Sequence, residues 1–253
     1  LYYNYRDISE KGTEVRTGTQ YTPDGSPNLS DLTFLPKAGF TGSVQIGYEG
    51  TDSRGKTFRG QIRIQVNQGS GSRYFQDMGS YAWAAPYVDL LYEAGVITGT
   101  GGQRYRPADA VSRGDFMLML YRAFQLTPAS GAGFPDVPPG SYYAQAIQAA
   151  RAAGIASGYP DGGFHPQEPV TRQDAMVLLE RTMQATGWSL GAANTGYLSG
   201  FRDGGMVAPY AQEAMSYMIE YGIITGTPEQ MLNPIQSISR AEMAVMLARA
   251  LTF

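Results

Sequence analysis

Residues 111–116 read Val-Ser-Arg-Gly-Asp-Phe, and this short stretch decides the fold because the chain uses it three times. It recurs as Val-Thr-Arg-Gln-Asp-Ala at residues 170–175 and as Ile-Ser-Arg-Ala-Glu-Met at residues 238–243. Each copy has an aliphatic residue, Ser or Thr, Arg, a variable residue and an acid, and an apolar run follows. A hydroxyl residue with an acid three positions later is a capping box, in which Asp is weaker than Glu. The pattern predicts that a helix begins at each copy.

The capping box does not explain the arginine that stands at the same place in every copy, Arg113, Arg172 and Arg240. A cation in the first helical turn lies beside the positive end of the helix dipole, where anionic side chains are preferred. We therefore expect each guanidinium to meet an anion. Backbone N–H groups at the same helix N-terminus are expected to add further donors for that anion.

A second landmark, Phe-x-Asp, shows that the repeat extends over the whole unit. Its acids are Asp77, Asp136 and Asp203, which are separated by 59 and 67 residues, and the three arginines are separated by 59 and 68 residues. Two independent landmarks thus give steps that agree to within one residue. The longer second step matches an insertion rich in Gly, Ser and Asn at residues 187–200.

Each repeat has the same layout between these two landmarks. An aromatic-Ala pair follows Phe-x-Asp, then a helix with apolar spacing of three and four, a short aliphatic piece, and a loop that closes on Pro. The aromatic residues of the pairs are Trp83, Tyr143 and Tyr210. The glycines that end the first helix as left-handed caps are Gly95, Gly154 and Gly222, and those that end the aliphatic piece are Gly99, Gly158 and Gly226.

Two helices and a loop are too little to bury a core, so three copies are expected to pack together. The repeats are placed at residues 73–128, 129–187 and 188–253. The second helix of each repeat is the more apolar and is expected at the shared centre, with the first helices outside. The Met-rich run at residues 116–120 is interpreted as core packing and not as a cofactor site, because Met fills irregular gaps.

Residues 1–67 are predicted to form a small all-β module, so the fold class is an all-β module followed by an all-α region. Two alternating strands, at residues 44–48 and 58–66, flank a turn at residues 52–55. Regular glycines between strands suggest an Ig-like sandwich, complete or partial. A Gly/Ser-rich linker is placed at residues 68–72.

Composition and charge exclude several classes of site. The chain has 253 residues, no Cys and a single His, His165, which rules out a thiolate site and gives no basis for a His-based metal cluster or a Ser-His-Asp triad. Residues 1–72 carry a net charge of +1, whereas residues 73–253 carry eleven Arg, no Lys and fifteen acids, or −4. An acidic segment does not suit a nucleic acid, and no apolar run approaches the roughly 20 residues that span a bilayer. No cofactor, metal or catalytic residue is predicted, and His165 is assigned no role.

Calcium is the one metal that the β module leaves open. Its acids Asp24, Asp31 and Asp52 could be calcium ligands, but Asp is more often an ordinary turn residue.

Taken together, these motifs resemble the S-layer homology (SLH) domain family. The resemblance rests on Phe-x-Asp, the aromatic-Ala pair, the paired glycines, the loop at residues 159–166 and the Ser/Thr-Arg-x-acid helix, and it covers residues 73–253. The β module resembles the Ig-like or cadherin-like repeats of bacterial surface proteins. The SLH resemblance implies a pseudo-threefold helical spindle that anchors a secreted surface protein to the cell wall, outside the cell.

The implied ligand is a peptidoglycan-linked secondary cell wall polysaccharide, commonly with pyruvylated N-acetylmannosamine, bound in grooves between repeats. The family motif is typically Thr-Arg-Ala-Glu, and only the third repeat has Ala241 and Glu242. The Pro-Asp-Gly-x-Phe-x-Pro loop is intact only in the second repeat. The three grooves therefore need not be equivalent.

The chemistry expected of the predicted site residues follows from a ketal-bound carboxylate. An arginine fork can grip a carboxylate bidentately, and the alternative is that each arginine pairs with an acid such as Asp77, Asp136 or Asp203. Those acids are otherwise turn or cap residues. The aromatic residues offer a sugar an apolar face or anchor the core. The second set of glycines allows close approach of a sugar or supplies a turn with positive φ.

The motifs favour a non-catalytic carbohydrate-binding anchor over two alternatives. One alternative is a scaffold for protein–protein contact or lateral self-association. The other is catalysis, which is disfavoured within this segment because its acids recur as repeat landmarks, although a larger polysaccharide-degrading enzyme could carry the segment as its anchor.

Overall fold

The computed structural model describes residues 2–3, 13–14, 32–34, 42–66, 71–131 and 133–252. The strands are β1 (Tyr2–Tyr3), β2 (Thr13–Glu14), β3 (Leu32–Thr33), β4 (Gly42–Thr51) and β5 (Thr57–Val66). The α-helices are α1 (Ala85–Glu93), α2 (Arg113–Ala123), α3 (Ala144–Ala152), α4 (Arg172–Ala185), α5 (Gln212–Glu220) and α6 (Arg240–Thr252). Short 3₁₀ helices occupy Gln76–Tyr81, Thr195–Gly200, Gly204–Met206 and Pro209–Ala211.

The two predicted strands form an antiparallel hairpin, β4–β5, in which Gly42 pairs with Val66 and Thr51 with Thr57. The turn between the strands is organised by Asp52, whose Oδ1 accepts hydrogen bonds from the backbone N–H groups of Arg54 and Lys56, both at 2.9 Å. Asp52 is therefore a turn acid, as its preference for turns predicts. Asp24 and Asp31 lie outside the described residues.

The remaining described strands form a small sheet in the order β2-β1-β3, with antiparallel pairs of two residues each. Most of residues 1–41 lie outside the described residues. The Ig-like sandwich consequently stays a prediction.

The first repeat begins before residue 73, the start that the Gly/Ser-rich composition predicts. Residues 68–70 of the linker lie outside the described residues, but Ser72 is bonded to α1. Its hydroxyl donates to Asp89 and accepts from the N–H groups of Tyr74 and Phe75, both at 3.0 Å. The carboxylate of Asp89, only 5% exposed, also accepts from the backbone N–H of Arg73 at 2.9 Å. Ser72 therefore belongs to the first repeat and not to a flexible linker.

The three predicted capped helices begin at the arginines. Ser112, Thr171 and Ser239 each accept a hydrogen bond from the N–H of the acid three positions later, at 3.1 to 3.2 Å. Among the described repeats, only in the third does the acid reach back to the backbone, since Glu242 accepts from the N–H of Ser239 at 2.9 Å; from its own cap residue, Thr171, Asp174 accepts only the hydroxyl, at 2.8 Å. Asp is one methylene shorter, and the reciprocal bond is absent from the two described repeats that carry it.

The first helices end at the predicted glycines. Gly95, Gly154 and Gly222 have φ values of 69°, 72° and 68°, the left-handed conformation that terminates a helix.

The contacts between helices close into a ring. Each first helix packs on the second helix of the preceding repeat: α3 on α2, α5 on α4, and α1 on α6. Backbone hydrogen bonds close the same cycle, because the N–H of Val111 donates to Ile238, that of Ile238 to Val170, and that of Val170 to Val111, at 2.9 to 3.1 Å. The three repeats thus form one core, and the spindle shape remains a prediction.

Each second helix contributes more buried residues to this core than any first helix does. Nine of the thirteen residues of α6 are buried. Met117, Met176 and Met243, one from each second helix, are completely buried. The Met-rich run is core packing, as predicted.

Candidate functional site

Each arginine lies where its helix meets the loop of the next repeat, which defines three junctions. Junction 1–2 joins Arg113 to the loop at residues 159–166, junction 2–3 joins Arg172 to residues 227–234, and junction 3–1 joins Arg240 to residues 100–107. The arginine and its loop are far apart in sequence, and the ring of repeats brings them together.

The first backbone N–H groups of each second helix already have partners. The N–H of Arg113 donates to the carbonyl of Glu168 at 2.9 Å and that of Gly114 to Pro166 at 2.8 Å, and the other two junctions repeat this arrangement. The prediction that these N–H groups bind an anion is therefore wrong. Loop carbonyls of the neighbouring repeat satisfy the helix N-terminus instead, and only the arginine side chain remains as a donor.

Arg113 and Arg240 have closely similar surroundings. Arg113 is only 8% exposed to solvent and Arg240 only 9%. The Nε–H of Arg113 donates to the carbonyl of Phe164 at 3.1 Å, and that of Arg240 to the carbonyl of Tyr105 at 2.7 Å. Each guanidinium lies over the ring of that same loop residue, 5.0 Å and 4.5 Å from its centroid. Such stacking favours a cation without neutralising it.

Neither of these two guanidinium groups contacts a carboxylate among the described residues. The Nη nitrogens of Arg113 have no hydrogen-bond partner there, and Arg240 uses only Nη2, which donates to Thr98 at 3.2 Å. These free nitrogens are not sealed from solvent, because the only enclosed side-chain donor without a partner in the described part of the chain is Nε of Arg172. Both arginines therefore keep Nη hydrogen-bond donors without a protein partner among the described residues.

The acids of Phe-x-Asp do not pair with the arginines. Asp77 accepts from the N–H groups of Tyr105 and Arg106 at 2.9 and 2.8 Å, and Asp136 accepts in the same way from Phe164 and His165. Burial raises the pKa of Asp77 and of Asp136, but these backbone hydrogen bonds outweigh it, so that each pKa is lowered. These acids hold the loop on which the arginine lies.

The third acid, Asp203, has the same role but is more deeply buried. Asp203 is 4% exposed and accepts from the N–H groups of Leu232 and Asn233, both at 2.7 Å. The alternative in which Asp77, Asp136 and Asp203 neutralise the arginines is not what the structure shows.

One predicted aromatic residue is displaced by a single position. Tyr143 is 6% exposed and forms the N-cap residue of α3, whereas its neighbour Tyr142 is 68% exposed and is the structural match of Trp83 and Tyr210, which are 44% and 59% exposed. The hydroxyl of Tyr142 donates to Asp115 at 2.6 Å, as that of Tyr210 donates to Asp174 at 2.8 Å. Tyr143 is therefore a core anchor, and Tyr142 takes its place at the surface.

The second set of glycines has a packing role that the sequence did not indicate. A Cβ added at Gly158 would lie 2.5 Å from Cε1 of Phe134, and one at Gly99 would lie 2.6 Å from Cε1 of Phe75. Gly158 and Gly226 have positive φ, as expected, and Gly99 does not. The Phe of Phe-x-Asp thus rests on the glycine of its own repeat.

A surface pocket of about 370 Å³ lies in the first repeat, lined by Gly99, Tyr74, Tyr92, Arg73 and Arg104 among others. Its lining does not include Arg113, Arg172 or Arg240, so this pocket is separate from the three junctions.

Comparison with known proteins shows the family of the three repeats. The S-layer homology domain matches at residues 74–117, 133–176 and 200–244, which together make up just over half of the chain. The chain belongs to the S-layer homology domain family. Each SLH match begins close to Phe-x-Asp and ends inside the arginine helix, so it contains both landmarks of the repeat.

The curated relatives of these SLH repeats include both surface proteins and enzymes. The chain is 28% identical over 177 residues to an endoglucanase of Bacillus sp. (strain KSM-635), with 70% of the chain and 18% of the relative covered. It is 29% identical to the surface-layer 125 kDa protein of Lysinibacillus sphaericus, with 70% and 14% covered. It is 23% identical to the cellulosome-anchoring protein of Acetivibrio thermocellus, with 66% and 39% covered.

The chain thus spans between about a seventh and two-fifths of the length of these relatives. SLH domains are anchoring modules, and the enzyme name of a relative belongs to a protein of which the matched segment is a minor part. The chain is a cell-surface, cell-wall-associated protein. Among the described residues, no helix is long and apolar enough to cross a membrane, and no group of three or more His, Cys, Asp or Glu is arranged to hold a metal ion.

The SLH junctions also contain residues that the sequence did not single out. Asp115 and Asp174, the acids of the first two capping boxes, also accept hydrogen bonds from the hydroxyls of the exposed tyrosines. Burial, with a further contribution from these hydrogen bonds, raises the pKa of Tyr142 and of Tyr210 to about 12, so both hydroxyls stay protonated and donate at neutral pH. A signal was available: Tyr142, like Trp83, lies six residues after the acid of Phe-x-Asp.

Junction 1–2 has one more aromatic wall, Tyr159. Its ring lies 4.7 Å from the guanidinium carbon of Arg113 and 4.7 Å from the ring of His165. His165 is held by Glu168 at 2.9 Å and by Asp161 at 2.7 Å, and these two carboxylates raise its pKa. His165, for which no role was predicted, therefore packs against the tyrosine beside Arg113.

Proposed function

We propose that this chain anchors its protein to the cell wall by binding an acidic secondary cell wall polysaccharide at the junctions between SLH repeats. The acidic group that fits is the carboxylate of a pyruvate ketal on a sugar. The observation that carries the proposal is the pair of nearly buried guanidinium groups, Arg113 and Arg240, that contact no carboxylate among the described residues.

A buried charge without a counterion is costly, so a protein that keeps one in place has a use for it. Cation–π contact fixes both guanidinium groups in orientation, together with one carbonyl at Arg113 and two at Arg240. Both Nη nitrogens of Arg113 and Nη1 of Arg240 are left to meet a carboxylate. A lone carboxylate on a sugar needs one such fork. It does not need the basic surface that a polyphosphate requires, which agrees with the net charge of −4 over residues 73–253.

The rest of each junction suits a sugar ring. The exposed rings of Tyr142, Tyr210 and Trp83 combine a wide apolar face with a polar tip, which is the combination that a saccharide presents in return. Asp115 and Asp174 offer acceptors for sugar hydroxyls beside the tyrosines. Glycines Gly158 and Gly226 keep the loop backbone accessible, being only partly buried.

The partner in this proposal is the polysaccharide linked to peptidoglycan. The relatives named as an endoglucanase and as a surface-layer protein suggest that one kind of anchor serves different cargo. We infer that the segment has the same relation to the remainder of its own protein, and that an Ig-like module at residues 1–67 would then act as a spacer.

The test uses cell wall before and after removal of its acidic polymer. Wild-type protein should sediment with intact wall and lose retention when the polymer is removed. Arg113→Ala and Arg240→Ala should each weaken binding by roughly 10- to 100-fold, the loss of one charge-assisted contact of about 1.5–3 kcal/mol. Arg→Lys at the same positions should also weaken binding, because Lys has no fork.

The matched control is Arg122→Ala. Its Nη1 donates to the carbonyl of Val96 at 3.4 Å, away from the junctions, and the change of charge is the same. Retention that survives removal of the polymer, or that falls equally with Arg122→Ala, would point to a protein scaffold or to general electrostatics. Release of sugar fragments would point to catalysis.

A further inference from the structure

The three junctions are not equivalent, although the same motif builds each of them. Junction 2–3 contains a salt bridge between Nη1 of Arg172 and Oε1 of Glu242, at 2.9 Å. Glu242 is the acid of the next repeat, so the pair crosses the junction. In the other two junctions the corresponding acids are Asp174 and Asp115, and neither forms a salt bridge with the arginine in the described part of the chain.

Two substitutions between repeats account for the difference. The loop residue beneath Arg113 and Arg240 is aromatic, Phe164 or Tyr105, but in junction 2–3 the corresponding residue is Leu232. Arg172 therefore has no ring to lie over. The acid of the third repeat is also Glu instead of Asp, and its extra methylene extends its reach across the junction.

The acids of the other two junctions are shorter and already engaged. Asp174 accepts the hydroxyl of Tyr210 and Asp115 accepts that of Tyr142. The aromatic residue at the corresponding position beside the third acid is Trp83, which has no hydroxyl to donate. Glu242 is therefore free to turn to Arg172, while its second oxygen accepts from the backbone and hydroxyl of Ser239.

The position of Arg172 shows the consequence. Its Nε–H is buried and has no hydrogen-bond partner, whereas the Nε–H groups of Arg113 and Arg240 donate to their loop carbonyls at 3.1 and 2.7 Å. A buried donor left without a partner costs free energy. Arg172 thus gives up the contact that orients the other two arginines when it pairs with Glu242.

We propose that Glu242 is an internal anion that takes the place of the polymer carboxylate at junction 2–3, so that this chain binds two acidic sugars, at junctions 1–2 and 3–1, and not three. The inference rests on the proposed function. Glu242 and Leu232 are then the residues that determine which junction is open.

The partly exposed salt bridge between Arg172 and Glu242 is sufficient to exclude a polymer carboxylate, because the two carboxylates compete for the same guanidinium. Glu242 is tethered beside Arg172, and its local concentration is comparable with the millimolar or higher values of short tethers. An external carboxylate at lower concentration does not displace it. A carboxylate that enters junction 1–2 or 3–1 meets no such competitor.

The first experiment is isothermal titration of the folded chain with a monovalent glycoside of pyruvylated N-acetylmannosamine. Wild type should bind two per chain. Arg113→Ala and Arg240→Ala should each reduce the number to one, and Arg172→Ala should leave the number at two with affinity within about twofold.

Glu242→Gln should raise the number to three, since Gln keeps the reach of the capping box but not the charge. Leu232→Phe, which restores a ring under Arg172, should shift the number in the same direction. Thermal unfolding of each variant checks that it is folded.

Three sugars bound by the wild type, or one lost from Arg172→Ala, would overturn this inference and leave the proposed function standing. A wild type that binds no sugar would end the proposed function.

A second measurement does not involve saccharide. A ¹³C NMR titration of the Glu242 carboxyl should give a higher pKa in Arg172→Ala than in the wild type, because the cation beside it has gone. An unchanged pKa would mean that the pair does not form in solution and would overturn the inference whatever the sugar does.

Discussion

Replacing each of the three loop-holding acids by Ala should separate stability from binding. Asp203, 4% exposed, accepts two backbone N–H groups at 2.7 Å, from Leu232 and Asn233. Asp77 makes two similar bonds at 2.8–2.9 Å in a partly buried place, and Asp136 makes its bonds while exposed. Hydrogen bonds to a charged group contribute about 1.5–3 kcal/mol each when buried. Loss of both bonds should therefore cost about 3–5 kcal/mol at Asp203, about 2–3 at Asp77 and about 1 at Asp136, where water replaces the acceptor.

The expected order for binding is the reverse of the order for stability. Asp77 and Asp136 hold the loops that place a ring and a carbonyl against Arg240 and Arg113. The loop held by Asp203 faces Arg172, which does not use it. Asp77→Ala and Asp136→Ala should therefore weaken binding of the ketal-bearing sugar by about 5- to 20-fold, or about 1–2 kcal/mol. Asp203→Ala should leave it within about twofold at a temperature well below its Tm.

Thermal unfolding followed by circular dichroism at neutral pH measures the first effect. For a chain of this size about 1 kcal/mol lowers Tm by roughly 2–4 °C, so Asp203→Ala should lose roughly 6–20 °C and Asp136→Ala only roughly 2–4 °C. Calorimetric titration with the same sugar measures the second. If Asp203→Ala shows the largest loss in both assays, the loops do not orient the arginines, and the reasoning is refuted.

Three further predictions concern pH, packing and the displaced aromatic residue. The folded pKa of His165 is raised, so its contribution to stability should be fully present below the ordinary pKa of about 6.5 and should vanish as pH rises through the folded pKa. The difference in Tm between wild type and His165→Asn, measured from pH 5 to 9, should therefore shrink as pH rises. A difference in Tm that grows with pH would contradict the prediction. Gly158→Ala should cost about 2–3 kcal/mol more than Gly154→Ala in denaturant unfolding, because both have positive φ but only Gly158 has Phe134 in contact with the added Cβ; equal losses would contradict the packing role. Tyr143→Ala should lower the free energy of unfolding by about 3–4 kcal/mol, whereas Tyr142→Ala should change it little and weaken sugar binding. The opposite outcome would mean that Tyr143, as the sequence predicts, is the aromatic residue at the sugar site.

Local sequence was sufficient for the elements and their ends. A hydroxyl residue three positions before an acid favours the start of a helix, and a glycine after an apolar helical run favours its end because glycine adopts positive φ without strain. These rules act over four or five residues. They correctly predicted the starts of α2, α4 and α6 and the caps at Gly95, Gly154 and Gly222. The matching steps between landmarks then predicted three packed repeats.

The expected anion at the helix N-terminus shows where local rules fail. The dipole argument treats the first N–H groups of a helix as free, and in this chain loop carbonyls of the next repeat occupy them. The same limit applies to Tyr142 and Tyr143. Two adjacent aromatic residues have the same propensities, and only packing on the helix of the preceding repeat decides which of them is buried.

By itself the sequence determined which residues begin and end each helix, that three copies share a core, and that an arginine stands at each junction. Only the tertiary structure decided what each arginine meets. Arg240 donates to a carbonyl 135 residues away, and Arg172 pairs with an acid 70 residues away. The reason is physical: a charge on a long side chain takes the best partner within a few ångströms, and which partners lie there depends on how distant segments of the chain pack together.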